Sequence, residues 1–338
     1  MTSRTVTSRT TAYRPRLAWF AAVGGAWVFV LVLLGAFTTT IGAGMVFADW
    51  PLSNGSVNPE GWLTDIAMFA EHSHRLSGTL MGLITITLAI WLWRTEARGW
   101  VRQLGWWALV IVIVQGLLGG TRVLLDPIEV PGFHMTLGQM LRIPHGVLAQ
   151  LYICLLILIA LAVSRPWIEA RGRVFSPSVR RWGLWVTALL IAQLTIATVM
   201  RHNAAGLAIP TFPWSTPEGD WLPTFWSFRV GIHFAHRVMA VVISVVLVTW
   251  AMRLWAEAGR GTRVALGALV GLLALQIALG ALTVLTLRDA HLTTAHVIVG
   301  AFLLALSFGL TCWTFHPQHA AAPATTASRR SSQRFAHS

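Results

Sequence analysis

Glu71-His72-Ser73-His74-Arg75 and His233-Phe234-Ala235-His236-Arg237 decide the reading of this chain. Each His-Arg pair opens a long apolar segment. Each is followed by an apolar segment holding a glutamine, Gln115 or Gln276, and then by one that opens on a further histidine, His145 or His296. Histidine inside a membrane segment is costly and is usually there for function. Two matched pairs point to two sites of similar construction.

The match is regular along the chain. Gly44 and Gly206, Pro51 and Pro213, and His74 and His236 are each separated by 162 positions, Gln115 and Gln276 by 161, and His145 and His296 by 151. One register therefore holds through the third apolar segment. The remaining difference falls in the loop 126–144, where insertions are tolerated. The repeated unit has four apolar segments, an even number, so both copies have the same orientation and the repeat is parallel.

Composition sets the class. The 338 residues are 55% hydrophobic and 11% charged, with a mean hydropathy of +0.65, which excludes a soluble domain. Eight stretches are long enough to span a bilayer: 17–41, 71–93, 104–125, 145–164, 183–201, 232–254, 264–286 and 293–315. The expected fold is an all-α integral membrane protein, eight transmembrane helices forming two tandem four-helix bundles. The halves are 17–164 and 183–315, joined by an arginine-rich linker, 165–182. The tails 1–16 and 316–338 are rich in Ser, Thr, Ala and Arg and read as disordered. The first apolar stretch is too long for a cleavable signal and lacks a small-residue cleavage site.

All 25 basic residues are arginine, a bias best explained by genome base composition. Eighteen of the 25 fall in the two tails and in the segments 94–102, 165–181 and 253–263. The positive-inside rule then places both termini in the cytoplasm. The net charge of +13 follows from this topology and does not call for nucleic acid. Cys154 and Cys312 lie deep in the fourth and eighth spans and read as packing residues. Trp50, Trp62, Trp214, Trp221 and Trp226, in the external loops 42–70 and 202–231, suit an interfacial belt.

Spans 2, 4, 6 and 8 all begin on the outer side, so within each half the paired histidines, His74 with His145 and His236 with His296, sit at similar depth. Haem between the helices of a four-helix bundle, with histidine as axial ligand, fits that arrangement. Arg75 and Arg237, beside the first histidine of each pair, either meet haem propionates or reach the interface as snorkelling side chains. Glu71 shares a helix face with His74, and the matching position in the second half is His233. This asymmetry points to chemistry in one half and electron transfer in the other. Glu71 also has Arg75 four residues on, so a structural ion pair is the competing reading. Gln115 and Gln276 are expected to bond across helices. His72 and His291 are off the ligand faces, His134 and His202 fall in external loops, and His316 and His319 lie at the cytoplasmic exit, so all six read as loop or surface residues.

Together these residues resemble the haem A synthases of bacteria and mitochondria. The Glu-x-x-His-Arg motif opening span 2, the His-Arg motif opening span 6, the single histidines opening spans 4 and 8, and the Gly-rich, Pro-ending segments after spans 1 and 5 carry the likeness over residues 17–315. The resemblance implies an enzyme that oxidises the ring D methyl of haem O to a formyl group, giving haem A, with oxygen derived from water. It implies a haem b cofactor on His236 and His296, and a substrate haem O on His74 and His145. Glu71 is implied to be needed for catalysis, positioning water or stabilising a cationic intermediate. It also implies contacts with a haem O synthase and with oxidase assembly factors, and it is compatible with a monomer or a homo-oligomer. The cysteine pairs that some bacterial members carry in the loops after spans 1 and 5 are missing from 43–53 and 205–215, so a mechanism relying on an external disulfide is not expected. The alternative is a bis-haem, cytochrome b-type electron-transfer protein, which has no need of Glu71. A parallel-repeat transporter would want polar groups near mid-membrane, whereas here the ionisable residues gather at the outer ends of spans.

Overall fold

The chain folds into helices that its apolar runs can be read to form, with ends fixed by polar residues. A computed structural model describes residues 12–132, 135–170 and 174–316; most of both tails, His134 and His319 lie outside these residues. The helices are α1 (Pro15–Thr40), α2 (Ile66–Thr95), α3 (Gly99–Leu124), α4 (Leu137–Ala162), the short α5 (Arg165–Ile168), α6 (Pro177–His202), α7 (Phe228–Glu257), α8 (Arg260–Leu285) and α9 (Ala290–Thr314). All except α5 are long and apolar enough to cross a membrane. At 1.5 Å per residue a helix of about 26 residues is about 39 Å long, more than the roughly 30 Å hydrocarbon core.

The helices start earlier than the apolar stretches suggest, because their caps lie in the polar flanks. The Asp65 side chain accepts from the Ala67 and Met68 amides and opens α2. Thr136 and Gln139 form a reciprocal capping box that opens α4. Asp289 caps α9, and Ser227 caps α7. His74, His145 and His236 consequently lie eight residues past the first residue of their helices. That is about two turns in, deeper than their place at the head of the apolar stretch implies. Pro177, in the segment read as linker, is the first residue of α6.

Each half closes into a ring. In the first, α1 packs on α2, α2 on α3, α3 on α4 and α4 back on α1; in the second, α6, α7, α8 and α9 repeat the order. The halves join through α1 with α9, α4 with α6, and α4 with α9. Exchanging the two halves turns the first contact into the second and leaves the third unchanged, as a parallel repeat requires. Phe29 and Phe302 stack across the α1–α9 seam at 4.1 Å. The apolar core is continuous across the seam: Ala301 and Ala305 of α9 cluster with the first half, and Cys154 of α4 with the second.

The repeat extends to backbone detail. Gly42 and Ala43 donate to the carbonyls of Thr39 and Thr38, and 162 residues later Ala204 and Ala205 donate to those of Arg201 and Met200. Gly42 and Ala204 both turn into the left-handed region, at φ +74° and +51°. The loops leaving α1 and α6 therefore start alike, and both fold back onto the end of the bundle where the histidines lie.

Candidate functional site

The ring order decides which helices face each other. In the first half α2 stands opposite α4, and in the second α7 stands opposite α9. The histidine pairs thus project from opposite helices into the bundle centre, not across an adjacent helix pair.

In the second half the His236 and His296 rings lie 6.4 Å apart between centroids, at an interplanar angle of 69°. His296 Nδ1 donates to the Gln276 carbonyl at 3.1 Å. A carbonyl can only accept, so Nδ1 carries the proton and Nε2 is left as the acceptor nitrogen. The Gln276 amide nitrogen lies 3.4 Å from that Nε2. Gln193 of α6 donates to the His236 carbonyl at 2.9 Å. His236 Nδ1 is buried with no partner.

The first half uses the same devices on exchanged helices. Here the α2 histidine is the anchored one, with His74 Nδ1 donating to the Leu31 carbonyl at 3.2 Å. His145, on α4, has a buried Nδ1 with no partner, and its carbonyl accepts from Gln115 at 3.0 Å. His74 and His145 are within electrostatic range of one another. Gln115 therefore bonds across helices to backbone, as expected, whereas Gln276 reaches the His296 ring itself.

Glycine makes room for three of the four rings. A Cβ on Gly35 would stand 2.7 Å from His74 Cε1, one on Gly119 3.2 Å from His145 Cε1, and one on Gly280 3.0 Å from His296 Cε1. Gly119 and Gly280 keep the 161-residue offset, whereas the position matching Gly35 is Ala197. Gly35→Ala is therefore expected to displace His74 and weaken ligand binding in the first half alone. Titrating each half's haem absorbance in the purified variant checks this, and unchanged binding in the first half would refute it.

The donor set suits a haem. An imidazole nitrogen binds a first-row metal at about 2 Å with its ring centroid about 1 Å behind, so two rings sharing one metal have centroids about 6 Å apart. The 6.4 Å pair matches this. Among the described residues no three His, Cys, Asp or Glu side chains converge to hold a bare ion. A macrocycle that brings its own equatorial nitrogens needs only the two axial ones.

Glu71 and Arg75 hold the loop above this centre. Glu71 is 1% exposed. Its Oε2 accepts the Val46 and Phe47 amides at 2.7 and 3.1 Å, and its Oε1 pairs with Arg75 at 2.7 Å. Arg75 also donates to the carbonyls of Phe47, Asp49 and Leu52. In the second half His233 Nδ1 accepts the Ile209 amide at 3.2 Å. Arg237 approaches His233 and donates to the carbonyls of Ile209, Thr211 and Trp214. Phe47 and Ile209 are 162 apart. The ion pair is thus present, and Glu71 and His233 do the same work: each pins the loop that follows the preceding helix.

Three of the histidines read as loop or surface residues are placed otherwise. His72 is 3% exposed, with Nδ1 3.0 Å from Ser53 Oγ and its ring against Phe47 and Trp62. It faces the folded-back loop, which a helical wheel cannot show. His316 is 4% exposed and packs edge-on against Trp167. His202 is the last residue of α6. His291, exposed, stacks on Phe37. Gln193 and Gly35 carry no signal in the sequence, because their repeat partners are Leu31 and Ala197 and internal comparison does not mark them.

Eight membrane-length helices in two tandem four-helix rings, each with a histidine pair on opposite helices, define an integral membrane protein built on a parallel repeat. The sequence model of the COX15-CtaA family, described as cytochrome oxidase assembly protein, matches residues 18–308. The chain belongs to that family, as its motifs led one to expect. It is similar to the Heme A synthase of Symbiobacterium thermophilum, 32% identical over 272 residues that cover 75% of this chain and 81% of that one. It is also similar to the Heme A synthases of Shouchella clausii, 27% identical over 85% of this chain and 91% of that one, and of Geobacillus kaustophilus, 26% identical over 87% and 89%.

Proposed function

We propose that this chain is a haem A synthase, converting the ring D methyl of haem O to a formyl group in a bacterial cytoplasmic membrane. The observation that carries the reading is a histidine pair on opposite helices, built twice, with one ring of each pair oriented by a backbone carbonyl and facing a glycine, in a chain whose relatives bear that name. In this reading residues 17–164 form the substrate half and 183–315 the cofactor half, with 165–182 between them. The halves have distinct tasks. His236 and His296 hold a haem b, and His74 and His145 hold the substrate haem.

The iron supplies the redox chemistry when bound. The chain's own part is orientation and exclusion of water. The Leu31 and Gln276 carbonyls set the tautomers of His74 and His296. The loops held by Arg75 and Arg237 cover the bundle ends. A carboxylate offers about four lone-pair sites; Glu71 uses three, on Val46, Phe47 and Arg75. That leaves Glu71 one acceptor site for a water.

A bis-haem electron carrier is the second reading, and one observation favours it. His233 replaces Glu71 as loop latch in the other half, so the latch needs no carboxyl and the presence of one does not by itself imply chemistry. The deciding experiment is haem extraction and chromatography from membranes expressing this chain with a haem O synthase, in a host lacking haem A. Haem A, or its hydroxylated precursor, is expected. A folded, haem-loaded protein, supplied with reductant and oxidant, that yields only haem b and unmodified haem O would put the electron-transfer reading first.

A further inference from the structure

The arginines next to the ligand histidines are heavily committed. Arg75 makes four hydrogen bonds, three to loop carbonyls and one to Glu71. Arg237 also has four contacts, three of them to loop carbonyls. A guanidinium has five N–H groups in a fixed fork, so neither can offer a two-pronged grip to a carboxylate without releasing its loop.

Another arginine in each half is placed differently. The side chain of Arg122, in the last turn of α3, has a single hydrogen-bond contact among the described residues, to Met45 Sδ at 3.9 Å. Its guanidinium lies over Gly44, whose added Cβ would stand 3.4 Å from both terminal nitrogens. It is within electrostatic range of His74 and His145, and of Glu71 and Asp126, whose carboxylates are already paired with Arg75 and Arg142. Its cationic neighbour Arg142 is paired with Asp126 at 2.7 Å, yet keeps a buried Nε with no partner. In the second half Arg288 takes the corresponding place over Gly206, with contacts of 3.6 and 3.8 Å from an added Cβ to its Cδ and Nε. Arg201, beside it, donates to the Ala36 carbonyl and Thr40 Oγ1 across the seam and leaves its own Nε buried and unpartnered. Cations in a membrane protein's interior need anions or acceptors, and these have few. The repeated glycines Gly44 and Gly206 thereby gain a physical reason: each clears the space in which a guanidinium lies.

We propose that Arg122 in the first half and Arg288 in the second bind the carboxylates of the macrocycle, while Arg75 and Arg237 act as loop clamps. This rests on the haem reading above. Two parallel N–H···O bonds from a planar guanidinium suit a propionate.

The test uses haem b and its dimethyl ester, in which the carboxylates are blocked. Both are titrated into the haem-depleted, detergent-solubilised full chain carrying His296→Ala, so that binding reports the first half, with Soret absorbance as readout. The parent is expected to favour free-acid haem by about tenfold or more, the worth of a charge-assisted hydrogen bond. Arg122→Gln is expected to lose that preference while binding the ester unchanged, which also shows that the variant is folded. Preference retained in Arg122→Gln, or equal weakening toward both haems, would overturn the assignment. The mirror experiment pairs Arg288→Gln with His74→Ala. If the unmutated chain forms no bis-histidine spectrum with either haem, the haem reading itself fails, a result distinct from loss of the arginine assignment.

Discussion

His296→Ala is expected to abolish bis-histidine haem binding in the second half and leave the first half loaded. The ring it removes stands 6.4 Å from His236 and is held by the Gln276 carbonyl. No other described His, Cys, Asp or Glu group converges there to replace it. The loss should exceed the roughly 10- to 100-fold effect typical of groups that only orient a ligand. Gln276→Leu supplies the contrast. It removes the side-chain amide 3.4 Å from Nε2 but keeps the backbone carbonyl that sets the tautomer. It should shift affinity or potential modestly and preserve the low-spin spectrum. Haem quantitation per polypeptide, with optical and electron paramagnetic resonance spectra, tests both. Equal haem content in His296→Ala and the unmutated protein would show that the second site is not built on this histidine.

Glu71→Ala is expected to release the loop 42–57 and to stop haem A formation. It strips the Val46 amide, the buried Phe47 amide and Arg75 of their shared acceptor. Breaking one side of a buried charge pair typically costs about 3–5 kcal/mol. The loss is local, so limited proteolysis of the loop is the sensitive readout. Glu71→Gln separates latch from chemistry. It retains an oxygen for the loop amides but changes the charge and the proton-holding capacity at the same place. The loop should stay protected while haem A formation falls by about 100-fold or more, the usual scale of a lost acid–base group. A Glu71→Gln protein with full activity and a protected loop would reduce Glu71 to the latch role that His233 fills in the other half.

The sequence alone determined the membrane class, the eight spans, the parallel duplication and the four histidines. Hydropathy and repeat spacing are properties of local segments, and insertion into a bilayer depends on them segment by segment. Helix starts were less legible, because Asp65 and Thr136 cap from outside the apolar runs.

Tertiary structure decided the rest. The ring order put α2 opposite α4 and α7 opposite α9, which no spacing along one helix encodes. It also decided how the polar side chains are used. Arg75 and Glu71 lie beside His74 in sequence, but their partners are backbone groups of a loop more than twenty residues upstream. Arg122, at the end of an apolar span, looks like an ordinary flank until the loop folds back and lays Gly44 against it. A charged side chain's role is set by which donors and acceptors the folded chain brings within about 3 Å, and loops returning over a bundle make that choice from distant parts of the sequence.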